Sequence, residues 1–469
     1  MKKQLKYIVI TLSAALVVGL LALAAVLFVP DAPDDASSTI SSQKVKIYEK
    51  QAADALKFTV TNEYGSYEIV PKDSGNFHIP ELDGYKVVTS YFNSFANTFS
   101  ALEARKLVTD APEDLSAYGF DEPLASLKAE FKDETVTVLL GNVETTTNGY
   151  YAKLESSDSV YLLTSGVGGR LLSDKLYYLE REITPGYDSN EELTFDKIVL
   201  SGSVRDEIVI LPTPDSEDET YAEIFAYEIV APASAPYDIS GTDFLTGFFL
   251  LYADTVVEIA PDEATLKEYG FDNPYSIAEI ESSAGDFTVT VGKVDGEYCY
   301  VMNAVDDVIY RCPVTSVGWL ETQYQDLVSS MFLVPHIYTV SNVDIVTADK
   351  SYNYTVSYDE SIDTVFAKCN NKTVNTANFQ KFYQVLVSCY LENYNTERVE
   401  GEPYMTLTYT YADGGSDTVE FYTSPSDPRQ AIVVFNGQYT DFSVRTVWVE
   451  KVLADCERLL NGQDVSITW

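Results

Sequence analysis

Tyr118-Gly119-Phe120-Asp121-Glu122-Pro123 returns as Tyr269-Gly270-Phe271-Asp272-Asn273-Pro274, and each copy runs into an alternating strand pattern closed by a glycine, Gly141 or Gly292, 18 positions after its proline. An internal interval kept between two copies marks a duplicated structural unit, because both copies must close the same turns and strands. The chain reads as a tandem array and not as one large domain.

Immediately before each hexapeptide stand Ala111-Pro112-Glu113-Asp114-Leu115 and Ala260-Pro261-Asp262-Glu263-Ala264. Proline at the start, acids in the first turn and Gly119 or Gly270 at the end follow the asymmetry of helix caps. The hexapeptide therefore reads as a helix stop and strand entry. Tyr118, Gly119, Phe120, Asp121 and Pro123, with Tyr269, Gly270, Phe271, Asp272 and Pro274, are structural-motif residues on this reading and not ligand contacts.

Three units are expected at about 45–187, 190–334 and 336–469, each large enough to bury its own core. Each opens with strands (Lys57 to Val60 and Tyr67 to Val70 in the first, Lys197 to Leu200 in the second, Val343 to Val346 in the third), where apolar and polar residues alternate. A helix should follow. Val88, Tyr91, Phe92, Phe95, Phe99 and Leu102 form one apolar stripe, as do Phe379, Phe382, Tyr383, Leu386 and Tyr390. The counterpart around Asp243 to Tyr252 is apolar on nearly all sides and predicts a buried core helix. Hairpins complete each unit, and closing helices are expected over Leu171 to Glu182, Val317 to Phe332 and Val447 to Leu460. The third unit lacks the hexapeptide and passes from Glu400-Gly401-Glu402-Pro403 straight into a strand. Hairpin-joined strands with packed helices predict an antiparallel α+β fold.

Residues 7 to 29 carry no charge and would make roughly 35 Å of helix, enough to cross a bilayer. A signal anchor is expected there, although Ala22 to Ala25 leave cleavage open. Lys2, Lys3 and Lys6 before the span and Asp31, Asp34 and Asp35 after it put the tip 1–6 in the cytoplasm and the bulk of the chain outside, as a single-pass membrane protein. Residues 30–44 read as a flexible stalk. The first cysteine is Cys299, so nothing behind the apolar segment accepts a lipid.

With 31 basic and 72 acidic residues the formal net charge is −41. Nucleic acid is excluded as a general partner, since phosphate binding needs clustered Lys and Arg. The acidic run Asp215-Ser216-Glu217-Asp218-Glu219 lacks the ligand order of a calcium loop. Five cysteines do not form a disulfide framework. If the hairpin closes on Ala304-Val305-Asp306-Asp307, Cys299 faces Cys312, as a bridge or as a buried pair of thiols. His78 and His336 are the two histidines, in different units, and neither His-x-x-x-His nor Cys-x-x-Cys occurs. Gly166-Val167-Gly168-Gly169 has no Walker lysine and reads as a helix entry. No catalytic constellation, metal site or cofactor is expected.

The short turn, the hexapeptide, the strand pair ending in glycine, then Gly149-Tyr150-Tyr151-Ala152-Lys153 and Ser159-Val160-Tyr161-Leu162-Leu163, resemble the bacterial family called domain of unknown function 4340. Tyr298 to Val301 and Val308 to Tyr310 repeat the pattern. The resemblance implies a membrane-tethered protein that accompanies gliding-motility-type ABC transporters, with a permease as the envelope partner. The expected function is a non-enzymatic, membrane-anchored binding or scaffolding protein auxiliary to such a transporter. The alternative is a cell-wall or glycan-binding ectodomain, suggested by 35 tyrosines whose rings stack on sugars.

Overall fold

The computed structural model describes residues 44–214, 225–238 and 242–469. The expected basic tip and membrane span lie outside them, as does the acidic run at 215–219.

Three large antiparallel sheets follow one another along the chain, with a small pairing of Val45–Lys46 and Glu103–Ala104 beside the first. The first sheet runs, edge to edge, Phe77–His78, Gly65–Pro71, Ala55–Asn62, Ala125–Phe131, Thr135–Glu144, Gly149–Leu154, Val160–Leu163 and Lys106–Thr109. The second and third repeat that order with nine strands each. In all three, the unit's opening strand pairs at the centre with the first strand of the later meander, and the strand just before that meander crosses to the far edge. The central partners are Ala55–Asn62 with Ala125–Phe131, Phe195–Ser201 with Ser276–Ser282, and Val340–Val346 with Met405–Tyr411. Their registers set Val60 against Leu127, Ile198 against Ile280 and Ile345 against Leu407, and all six side chains are buried. Period-two alternation puts these residues on one face, and a slip of one position would expose them.

Helices cover that face in the first and third sheets. Phe95 from Thr89–Ser100 meets Phe58 at 5.9 Å between ring centroids, and Phe379 and Phe382 from Thr376–Leu386 meet Tyr354 at 5.8 and 5.3 Å.

Each sheet is also tied from its first strand or turn to its closing segment. Asn62 Nδ2 donates to Leu171 O and Ser173 O, both at 2.9 Å. Arg205 Nη2 donates to Leu320 O and to Ser276 Oγ. Lys350 Nζ reaches Glu457 Oε1 at 2.6 Å. The donor differs in every unit while the tie is kept. Arg205 is the most demanding of the three, because Nε and Nη1 are buried without a partner and burial lowers its pKa to about 10.

By compactness the described chain divides into two units, one of residues up to Pro80 with Ser90–Ser173, the other of Glu81–Thr89 with Asp174–Trp469. The first holds the first sheet; the second holds the other two.

The expected α+β class with an N-terminal membrane helix is corrected. Strand makes up 41% of the structure and helix 18%, so the fold is mostly antiparallel β. The expected helices are shorter for local reasons. At Asp243 to Tyr252 the helix is only Thr242–Thr246, and Leu250, with φ 57°, turns the chain so that Leu250 N donates to Pro185 O and Leu251 N to Thr184 Oγ1. Phe248, Phe249 and Leu251 are buried all the same. Over the expected Leu171 to Glu182 no α-helix forms: the helix Ser165–Leu171 ends where that one was expected to begin, and Asp174 caps a 3-10 turn, Lys175–Tyr178. Between 317 and 332 the single helix is Tyr324–Leu327, opened by a Gln323/Asp326 capping box. The closing helix of the third unit runs the full Thr446–Leu460.

Among the described residues no helix is long and apolar enough to cross a membrane. The membrane and signal-anchor reading, the single-pass localisation and the partner reached through an N-terminal helix are corrected with the fold class, because no described element supports them.

Candidate functional site

The two hexapeptides occupy equivalent places. Gly119 ends the 3-10 turn Ser116–Tyr118 at φ 83°, and Gly270 follows the helix Glu263–Glu268 at φ 81°, conformations that glycine adopts without strain. The next strand pair explains the kept interval of 18. A Cβ on Gly141 would lie against Tyr118 O, and one on Gly292 against Tyr269 O, both far inside van der Waals contact. At both glycines the register of the strand pair shifts, between Leu140 and Val143 and between Val291 and Val294, so each glycine marks a β-bulge on which the turn sits. Lys293 N donates to Tyr269 O at 2.6 Å, closing the contact. The tyrosine rings pack edge-on or tilted against the next strand, Tyr118 on Tyr151 at 4.9 Å and Tyr269 on Tyr300 at 4.6 Å. Phe120 is buried and Phe271 half-buried, whereas Asp121, Asp272 and Pro123 are exposed and Pro274 is half-buried. The motif thus brings aromatic rings and backbone together and leaves its acids in solvent, an arrangement that clamps a bulge.

The third unit supplies the control. Its equivalent strands pair from Val419 with Phe435 to Thr423 with Ala431 without a shift, and Tyr422 stands where the glycines stand. Where the hexapeptide is missing, the bulge is missing too.

Cys299 lies opposite Cys312 in the pairing of Tyr298–Asn303 with Val308–Pro313. Both are buried free thiols, as are Cys369, Cys389 and Cys456. Burial raises the pKa of Cys299 to about 11 and of Cys312 to about 12. A native-state alkylation at pH 8 should therefore label none of the five, and labelling in urea should reach all five; a non-reduced mass lower by two hydrogens would show a bridge instead. The raised values also fix a pH dependence. The unfolded thiols lose protons first, so stability is constant below the ordinary thiol value and falls as pH rises from about 9 towards 12. Urea midpoints across that range check the sign.

Among the described residues no group of three or more His, Cys, Asp and Glu side chains is placed to hold a metal ion. The cavity with the most distinctive chemistry lies in the second compact unit, between the second and third sheets, with a volume of about 260 Å³. Tyr227–Ala231 and Ala235–Pro236, at the edge of the second sheet, contribute Glu228 and Pro236, and the turn between them Ser234; Phe332 and Leu391 come from connecting segments, and the hairpin of Gln430–Phe435 and Gln438–Arg445 closes the other side. That hairpin turns at Asn436 and Gly437, with φ 46° and 78°.

Most polar groups here are engaged. Asn436 accepts from Thr418 N at 2.8 Å and donates to Asp417 at 2.9 Å, Tyr439 OH donates to Val399 O at 2.8 Å, and Thr440 Oγ1 donates to Val433 O at 3.1 Å. The side chains of Glu228, Ser234 and Gln438 make no hydrogen bond within the described chain. Burial alone raises the Glu228 pKa, since no cation stands near to oppose it. Phe332 and Phe435, 6.1 Å apart and edge to face, supply the apolar wall. No sequence signal could have located this cleft, because its parts come from 228–236, 332, 391 and 435–440 and none forms a motif.

No curated protein matches the chain. Residues 78–183, which contain the first hexapeptide, Gly141 and the Tyr150 to Leu163 hairpin, match the model of the family described as Domain of unknown function (DUF4340).

Proposed function

We propose that this chain is a non-enzymatic binding or scaffolding protein, an auxiliary component of an ABC transporter system. The transporter context rests on the family resemblance. Support for a binding role comes from an aromatic cluster on the third sheet. Tyr338 and Tyr358, 44% and 36% exposed, pack with tilted rings 4.1 Å apart between centroids, and His336 lies 4.7 Å from Tyr338. Exposed aromatic side chains enrich recognition surfaces because they bury much area at low entropic cost. Crosslinking in cells followed by affinity purification of the full chain should recover transporter subunits. Replacing Tyr338 and Tyr358 together by Ala should lose them while leaving the circular dichroism unchanged. Repeated recovery of the chain alone would count against the transporter reading.

A glycan-binding role is the second reading, favoured by further exposed tyrosine rings at Tyr64, Tyr298 and Tyr394. Retention on purified cell wall tests it, and free passage through such a column ends it.

A further inference from the structure

We infer that the cleft between the second and third sheets binds a small molecule that carries a protonated amine beside an apolar face, with Glu228 as the counter-ion. The cavity has one half-buried acid, Glu228, with the exposed amide of Gln438 and hydroxyl of Ser234 at its rim, against a wall of Phe332, Phe435 and Leu391. Neither Lys nor Arg lines it. An anionic ligand would meet a like charge there with no cation to offset it, which excludes phosphates, nucleotides and carboxylates.

Glu228 is half-buried with no hydrogen-bond partner of its own, so an ammonium ion placed beside it gains a charge-assisted hydrogen bond in surroundings drier than bulk water. A neutral hydroxyl could donate to the ionised acid only without the charge, and the bond would be weaker. The net charge of −41 acts in the same direction, since it raises the local concentration of cations. Size limits the apolar part. About 260 Å³ falls just below the usual range of roughly 300–1,000 Å³ for ligand pockets, which leaves room for one six-membered ring or a short alkyl chain. The two phenyl rings offer such a ring an apolar wall, and the Gln438 amide and Ser234 hydroxyl are free for substituents on it. The site stands on the cleft alone and holds whether or not the chain serves a transporter.

Cyclohexylamine and cyclohexanol share one body and differ in charge, so the test is a calorimetric titration of the full chain with each at pH 7. Saturable one-to-one binding of the amine is expected, with the alcohol at least about tenfold weaker. Glu228→Gln should lower the affinity for the amine by about tenfold or more and remove the preference. Equal affinity for both probes in the unaltered chain overturns the inference without any variant. So does amine binding that survives Glu228→Gln, because it would then be adsorption to the acidic surface. Absence of saturable amine binding overturns it as well.

Discussion

Gly292→Ala destabilises the second sheet by about 2–3 kcal/mol. The added methyl group would meet Tyr269 O far inside contact distance and the Phe271 ring at 3.2 Å. A carbonyl oxygen in a turn cannot rotate away as a side chain can, so the turn itself must lift. Overpacking of this kind costs about 1–3 kcal/mol. Lifting the turn also loses the 2.6 Å bond from Lys293 N to Tyr269 O, a further 0.5–1.5 kcal/mol or so. Opposing this, alanine narrows the unfolded ensemble and contributes about 0.4–1 kcal/mol of stability where the backbone tolerates it. The clash wins by magnitude. A chain of several sheets need not unfold in one step, so hydrogen exchange read strand by strand is the suitable measurement. Protection should fall in Ser276–Ser282 and Phe287–Asp295 and stay unchanged in Met405–Tyr411. Gly318→Ala, where nothing lies within 4 Å of the new carbon, should change stability by no more than about 0.5 kcal/mol. Unaltered exchange around Gly292 would remove the clamp from the reading of the hexapeptide.

The interval between proline and glycine was legible because the constraint lies within some twenty residues and is steric. A turn that packs on a bulge tolerates neither a different length nor a side chain at the contact point. Strand pairing was legible for a related reason, since alternation fixes which face is buried and hairpins join neighbours. Helix length was less so. An apolar stripe says which residues are buried but not that the backbone between them is helical: Phe248, Phe249 and Leu251 reach the core from a turn closed by Leu250, and Trp319 is 2% exposed between two short helical turns. Backbone hydrogen bonds made across the fold, such as Ile183 N to Leu251 O, replaced helical ones there. The cleft around Glu228 was the least legible part. Its free carboxyl is distinctive only once Phe332, Leu391 and the 435–440 turn surround it, and nothing in the local sequence of Tyr227–Ala231 separates that glutamate from the others on solvent-facing strand positions.

Trp448→Ala should cost about 3–5 kcal/mol, the largest single loss expected in the third sheet. Its indole is 1% exposed, packs on Phe421 at 5.2 Å, and donates from Nε1 to Val385 O at 2.8 Å. That carbonyl lies in the last turn of Thr376–Leu386 and also accepts from Ser388 N and Ser388 Oγ, and the indole bond ties this helix to Thr446–Leu460. Trp448→Phe separates the contributions. It keeps most of the buried ring and removes one donor from Val385 O, which still accepts from Ser388 N and Ser388 Oγ, for about 0.5–1.5 kcal/mol. Trp469 offers the comparison within the same structure, since its Nε1 donates to Ser388 Oγ at 3.1 Å and Arg445 lies over its ring at 4.9 Å. It is only half-buried, so both contacts compete with water and Trp469→Ala should cost less than about 1 kcal/mol. Urea denaturation followed by circular dichroism, with exchange in Thr376–Leu386, ranks the three. The order Trp448→Ala, Trp448→Phe, Trp469→Ala is expected; equal losses from the two alanine variants would mean that the terminal tryptophan, and not the buried one, holds the helix pair to the sheet.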